Sequence, residues 1–175
     1  MKLLYMAFLL SLLSCVGRKN IQTKPILAAP AHVSVKNAET GRIGYRSTYV
    51  PITPSLKPQI IMISRIDNEL TLKLQGKIGS GGLSRRKVKG VRLEQGDLYG
   101  NDITLKYIVE IERVTGKENA NVQGYNYTTK VVCKVPEGAQ LINVELYEER
   151  PPQAPNTKPQ LKLMTSELFD FFPIL

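Results

Sequence analysis

From His32 to the carboxy end, apolar and polar residues alternate with a period of two. That period places successive side chains on opposite faces of an extended strand. His32-Val-Ser-Val35 alternates, and so do Tyr45, Ser47 and Tyr49 up to Pro51 and Pro54, prolines that suit a sheet edge. Residues 60–66 form a short, nearly continuous apolar run, followed by the turn signal Asp67-Asn68. Leu70, Leu72 and Leu74 then alternate with Thr71, Lys73 and Gln75. Gly79-Ser-Gly-Gly82 reads as a flexible loop, 88–94 as a further strand, and Gly96-Asp97 and Gly100-Asn101-Asp102 as turns. Strands at roughly 8–12 residue spacing, without a long 3.6 period, predict an all-β sandwich or barrel.

The strongest pattern spans 103–135. Ile103, Leu105, Tyr107, Val109 and Ile111 precede a turn, and Tyr125, Tyr127, Thr129, Val131, Cys133 and Val135 follow it. The spacing predicts a hairpin pairing 113 with 125, with both odd sets on one buried face and Cys133 opposite Leu105. Ile142, Val144 and Leu146 predict another half-buried strand. Pro151, Pro152, Pro155 and Pro159 make 151–159 a stiff arm. After Leu161-Lys-Leu163 comes an aromatic end in which Phe169, Phe171 and Phe172 are all the Phe residues apart from Phe8. This tail either closes the sandwich or docks in a partner. The expected fold is a two-sheet antiparallel sandwich of about 7–8 strands, immunoglobulin-like or transthyretin-like.

The amino end has a different pattern. Lys2 precedes an apolar run over 3–13, then Ser14-Cys15. A positive start, a run of about 7–15 apolar residues and a small residue mark an export signal, too short for the roughly 20 residues of a membrane span. Leu12-Leu13-Ser14-Cys15 resembles the lipobox of bacterial lipoproteins. The resemblance covers this segment alone. It implies cleavage before Cys15, a diacylglycerol thioether on Cys15, and a palmitate-type acyl chain on its amine, since two or three chains give stable anchoring. Val16-Gly17-Arg18-Lys19 carries no acidic residue, which by resemblance favours the outer membrane and its periplasmic face. The organisation read from this is a signal peptide over 1–14, a lipidated Cys and flexible tether over 15–31, and one domain over 32–175. Cys133 is then the one thiol left, so no disulfide forms within the mature chain.

Charge sharpens the picture. The formal net charge is +9, and loss of Lys2 with the signal leaves +8. Lys73, Lys77, Arg85, Arg86, Lys87, Lys89 and Arg92 supply most of the excess, in a stretch with no acidic residue. Such a patch attracts an anionic partner. Nucleic acid is not expected, because no aromatic residues interleave for base stacking.

Catalytic and metal chemistry find little support. His32 is the one His, with no nucleophile beside it, and one His with one Cys falls short of a zinc ligand set. Glu110 and Glu112 are about 6.6 Å apart along a strand, a spacing within reach of glycosidase carboxylates. A diagonal Lys130 would make them a charged surface instead. Gly76 to Gly82 lacks the spacing and the following helix of a phosphate loop. Asn126-Tyr-Thr128 matches a glycosylation sequon by chance. No enzyme activity, cofactor or metal is expected. The reading is an adaptor or structural component of an envelope or secretion assembly, anchored to membrane lipid through Cys15 and bound to an envelope protein. In outline it is similar to the small β-sandwich lipoproteins of type VI secretion complexes, at the level of fold alone. The alternative is a glycan- or peptide-binding lipoprotein with an aromatic pocket built from its Tyr residues.

Overall fold

The computed structural model describes residues 21–81, 84–152 and 157–172. Among these the chain is all β. The strands are β1 (Gln22–Lys36), β2 (Ile43–Pro51), β3 (Gln59–Ile66), β4 (Glu69–Gly79), β5 (Arg85–Gln95), β6 (Asp102–Val114), β7 (Val122–Lys134), β8 (Leu141–Arg150) and β9 (Gln160–Asp170). They form a five-stranded sheet in the order β2-β1-β7-β4-β3 and a four-stranded sheet in the order β5-β6-β8-β9. Nine strands exceed the expected seven or eight. One pair, β6 with β8, is parallel rather than antiparallel.

The core is a dry layer between the two sheets. Leu70, Leu72, Leu74, Tyr127, Val131 and Cys133 project from one sheet, and Leu105, Tyr107, Val109, Ile142, Val144 and Leu146 from the other. Each inward side chain is two residues from the next, as the pleat requires. Cys133, 3% exposed, is directly opposite Leu70. Burial keeps a reagent from the sulfur. Cys133→Ala is expected to cost about 1 kcal/mol of stability, and the native thiol to label slowly. Fast labelling by a thiol reagent would contradict that placement.

Two expectations are corrected. The predicted β6–β7 hairpin does not form. β7 pairs with β1 and β4, and β6 with β5 and β8, so the connection over 115–121 crosses from one sheet to the other. The odd positions of both strands face inward as expected, but across the core from each other. Cys133 therefore lies opposite Leu70, not Leu105. The second correction is the tether: residues 22–31 belong to β1. Pro25 and Pro30 are accommodated because β1 has β7 beside it at 22–27 and β2 beside it at 28–36. Each proline thus has a neighbour on one side only, where its missing N–H breaks no second ladder.

Candidate functional site

The basic stretch 73–92 divides between the two sheets. Lys73 and Lys77 lie on the outer face of the five-stranded sheet, whereas Arg85 to Arg92 form β5, an edge of the other sheet. The seven cations do not form one patch.

Lys73 and Lys77 join lysines that are distant in sequence. Lys73 is directly opposite Lys130. Asn126 stands between Lys24 on one neighbouring strand and Lys77 on the other. Lys134 is opposite Glu69, the one acidic residue in these rows. Like charges directly opposite are unfavourable, so Lys73 and Lys130 gain from any anion laid on this face. The connection from β2 to β3 crosses the same face. Asn126 pins it, accepting from the Leu56 amide at 2.8 Å and donating to the Pro54 carbonyl at 2.9 Å. Lys77 Nζ lies 3.2 Å from Ser55 Oγ.

On β5 the cations are largely neutralised within the chain. Arg92 pairs with Glu94, with Glu110 at 3.3 Å and with Glu149 at 3.3 Å. Partial burial disfavours the Arg92 charge, but Glu94 and Glu149 outweigh it and hold the guanidinium above its ordinary range. Lys87 Nζ is 2.8 Å from Glu112. Glu110 and Glu112 therefore serve β5 as ion-pair partners, and Glu110 is far from the expected Lys130, which is in the other sheet. Lys89 is exposed beside a bulge between Val88 and Gly90. Arg92 and Lys87 are thus poorly placed to hold an outside anion, while Arg85 and Arg86 line cavities at the mouth of the sandwich.

The least expected feature is an arm. Beyond Ala28, whose amide donates to the Asn121 carbonyl at 2.7 Å, the ladder of β1 is with β2, and among the described residues no other strand packs broadly on the far half of this hairpin. Val35 (48% exposed), Ile43 (68%) and Tyr45 (80%) stand in water there. An isolated two-stranded ribbon is marginal in water, so a second surface would add to its stability. His32 and Ser47 face each other on this arm, with Nδ1 and Oγ 3.2 Å apart, and both are exposed. Among the described residues no hydrogen bond joins the ring to a carboxylate.

The aromatic tail folds back on its own domain. Phe169 and Phe171 pack against the core, and the Arg65 guanidinium stacks 4.2 Å above the Phe171 ring. Of the three Phe residues, Phe172 alone remains largely exposed, at 45%. The Tyr residues do not gather into a platform. Tyr107 and Tyr127 are core, Tyr45 and Tyr49 are on the arm, and Tyr147 donates to Glu145 at 2.9 Å on the outer face of the four-stranded sheet. Among the described residues no group of three or more His, Cys, Asp or Glu could hold a metal ion. Cys15 lies outside the described residues. Comparison with protein-family models, curated proteins and solved structures finds no match to this chain.

Proposed function

We propose that this protein is a lipid-anchored, non-enzymatic adaptor of a bacterial envelope or secretion assembly, facing the periplasm from the outer membrane. The observation that carries the reading is the β1–β2 arm: a projecting ribbon with apolar side chains on both faces and, among the described residues, no covering layer of its own. Contiguous apolar surface rimmed by polar groups marks an interaction site. Lys36, Arg42 and Arg46 flank the apolar residues of the arm, with Glu39 the one acid, so a protein surface with acidic residues suits it.

The anchor supports the geometry. Seven residues link Cys15 to Gln22, a reach of at most about 25 Å. Fifteen residues of β1 then extend about 46 Å. Lipid at Cys15 and a partner at the arm tip would occupy opposite ends of this first strand. The lysine face of Lys73, Lys77, Lys130 and Lys24 offers a further anionic contact on the same sheet. It replaces the sequence-based set that included Arg92 and Lys87.

The test is site-specific photo-crosslinking in intact cells from positions 45 and 49 on the arm, with position 99, exposed but on a distant turn, as control. A discrete adduct from the arm and none from position 99 is expected. Adducts from all three positions alike, or from none, would overturn the adaptor reading. Cys15→Ser should separately abolish fatty-acid labelling and release the domain from the membrane fraction. Charge reversal at Lys73, Lys77 and Lys130 should leave stability within about 0.5 kcal/mol and weaken the adduct more steeply at low salt than at high.

A further inference from the structure

A cavity of about 340 Å³ opens between the two sheets beside the edge strand β5, lined by Thr23, Arg85, Arg86, Val88, Val114 and Tyr125 among others. Three features set it apart from the rest of the surface. First, Arg86 is core-facing: it is two residues before Val88, which packs on the core. Its Nε is buried and has no hydrogen-bond partner. Buried donors are almost always paired, so a ligand acceptor placed here would gain a hydrogen bond. Second, Arg86 is directly opposite Arg113 across the β5–β6 ladder. Like charges so placed repel each other, and neither is among the ion pairs of the described residues. Third, the Tyr125 hydroxyl lies beside the Arg85 guanidinium.

No ion pair to Arg85 or Arg86 is present among the described residues. Glu118 accepts from the Tyr125 hydroxyl at 2.7 Å and lines the neighbouring cavity, which shares Arg85 and Tyr125 with this one but not Arg86. The Lys87 ammonium is held by Glu112. Two arginines therefore line a space whose other lining residues are Thr23, Lys87, Val88, Val114 and Tyr125. A guanidinium fork matches two oxygens of one oxyanion, and the alkyl walls match an apolar body behind it.

We propose that this cavity binds a small organic ligand through an oxyanion, carboxylate or phosphate, gripped by Arg86 and Arg85. The site is separate from the arm, so it stands or falls independently of the adaptor reading. Calorimetric titration of the full chain in non-ionic detergent, at fixed ionic strength, tests it with benzoate, phenyl phosphate and inorganic phosphate. Saturable heat above a chloride blank is expected with at least one of the two aromatic probes. A preference for benzoate assigns a carboxylate and for phenyl phosphate a phosphate. Arg86→Gln should weaken binding about tenfold or more, Arg86→Lys less, and Lys89→Gln by under about twofold. Arg86→Gln should leave the arm adduct unchanged. The proposal fails if no probe binds above the blank, if inorganic phosphate alone binds, or if Lys89→Gln weakens binding as much as Arg86→Gln. Should Arg86→Gln fold poorly by circular dichroism, Arg86→Lys decides: binding equal to the wild type would overturn the site.

Discussion

A chain ending at residue 159 is expected to melt about 10 °C below the full-length protein. Such a chain lacks β9, which pairs with β8 from Leu141–Asp170 to Arg150–Gln160. It also lacks Phe169 and Phe171, both packed on the core. A fully buried Phe contributes roughly 1.5–3 kcal/mol, and these two are partly buried, so about 3 kcal/mol together is reasonable. At roughly 2–4 °C per kcal/mol for a domain of this size, the side chains alone give most of the shift. Loss of the ladder adds to it. Arg65 would lose its stacking partner, though its 2.7 Å bond to the Ala139 carbonyl remains. Phe172→Ser should by contrast change the melt by no more than about 1–2 °C, since that ring is half in water. Thermal melts followed by circular dichroism measure both. If the truncated chain melts unchanged and also loses its crosslinked partner, the tail is a docking element and its packing is incidental.

Gly124→Ala should be at least as damaging. Gly124 has φ +156°, a conformation that residues with a Cβ rarely adopt. A Cβ there would lie 2.2 Å from the Ile78 carbonyl oxygen. That oxygen is backbone and cannot swing aside, because Ile78 and Gly79 are in register with Tyr125 and Gly124. Relief requires opening the end of the β4–β7 ladder, which also seats the Tyr125 wall of the cavity. Strain and repacking together are expected to cost about 3 kcal/mol or more. Denaturant unfolding would measure it. A loss under about 1 kcal/mol would mean that the ladder end yields easily and is not a rigid support. Gly76→Ala meets a side chain instead of backbone, the Tyr127 hydroxyl at 2.6 Å, but that ring is core and 2% exposed, so it too should lose stability.

Much of this molecule was legible in its alternation. Leu70, Leu72 and Leu74, the odd positions of 103–111 and 127–135, and Ile142, Val144 and Leu146 all face the core as the period of two predicts. Inward burial of Cys133 followed from the same rule, and so did the strand character of Leu161-Lys-Leu163. The basic excess was legible too, as an amount of charge. Its distribution was not. Lys130 and Lys134 are separated from Lys73 by more than fifty residues, and strand pairing alone puts them on one face. The four carboxylates that neutralise Arg92 and Lys87 come from three strands, β5, β6 and β8. No linear run of charge reveals such pairing.

The remaining gaps have one physical source. A repeat of two states which side of a strand is dry, and it does so from the residues of that strand alone. It is silent on which strand lies alongside, because a neighbour in the same sheet and one across the core both satisfy it. That is why 103–114 and 122–134 read as a hairpin yet belong to opposite sheets. It is also why 22–31, with two prolines and small residues, read as tether: only a one-sided position beside β7 and then β2 lets such a segment be strand. The sequence by itself determined the all-β class, the inward side chains and the total charge, since each follows from local period and composition. The tertiary structure decided the sheet order, the free-standing arm, the lysine face and the cavity at Arg86, since each depends on contacts between residues far apart along the chain.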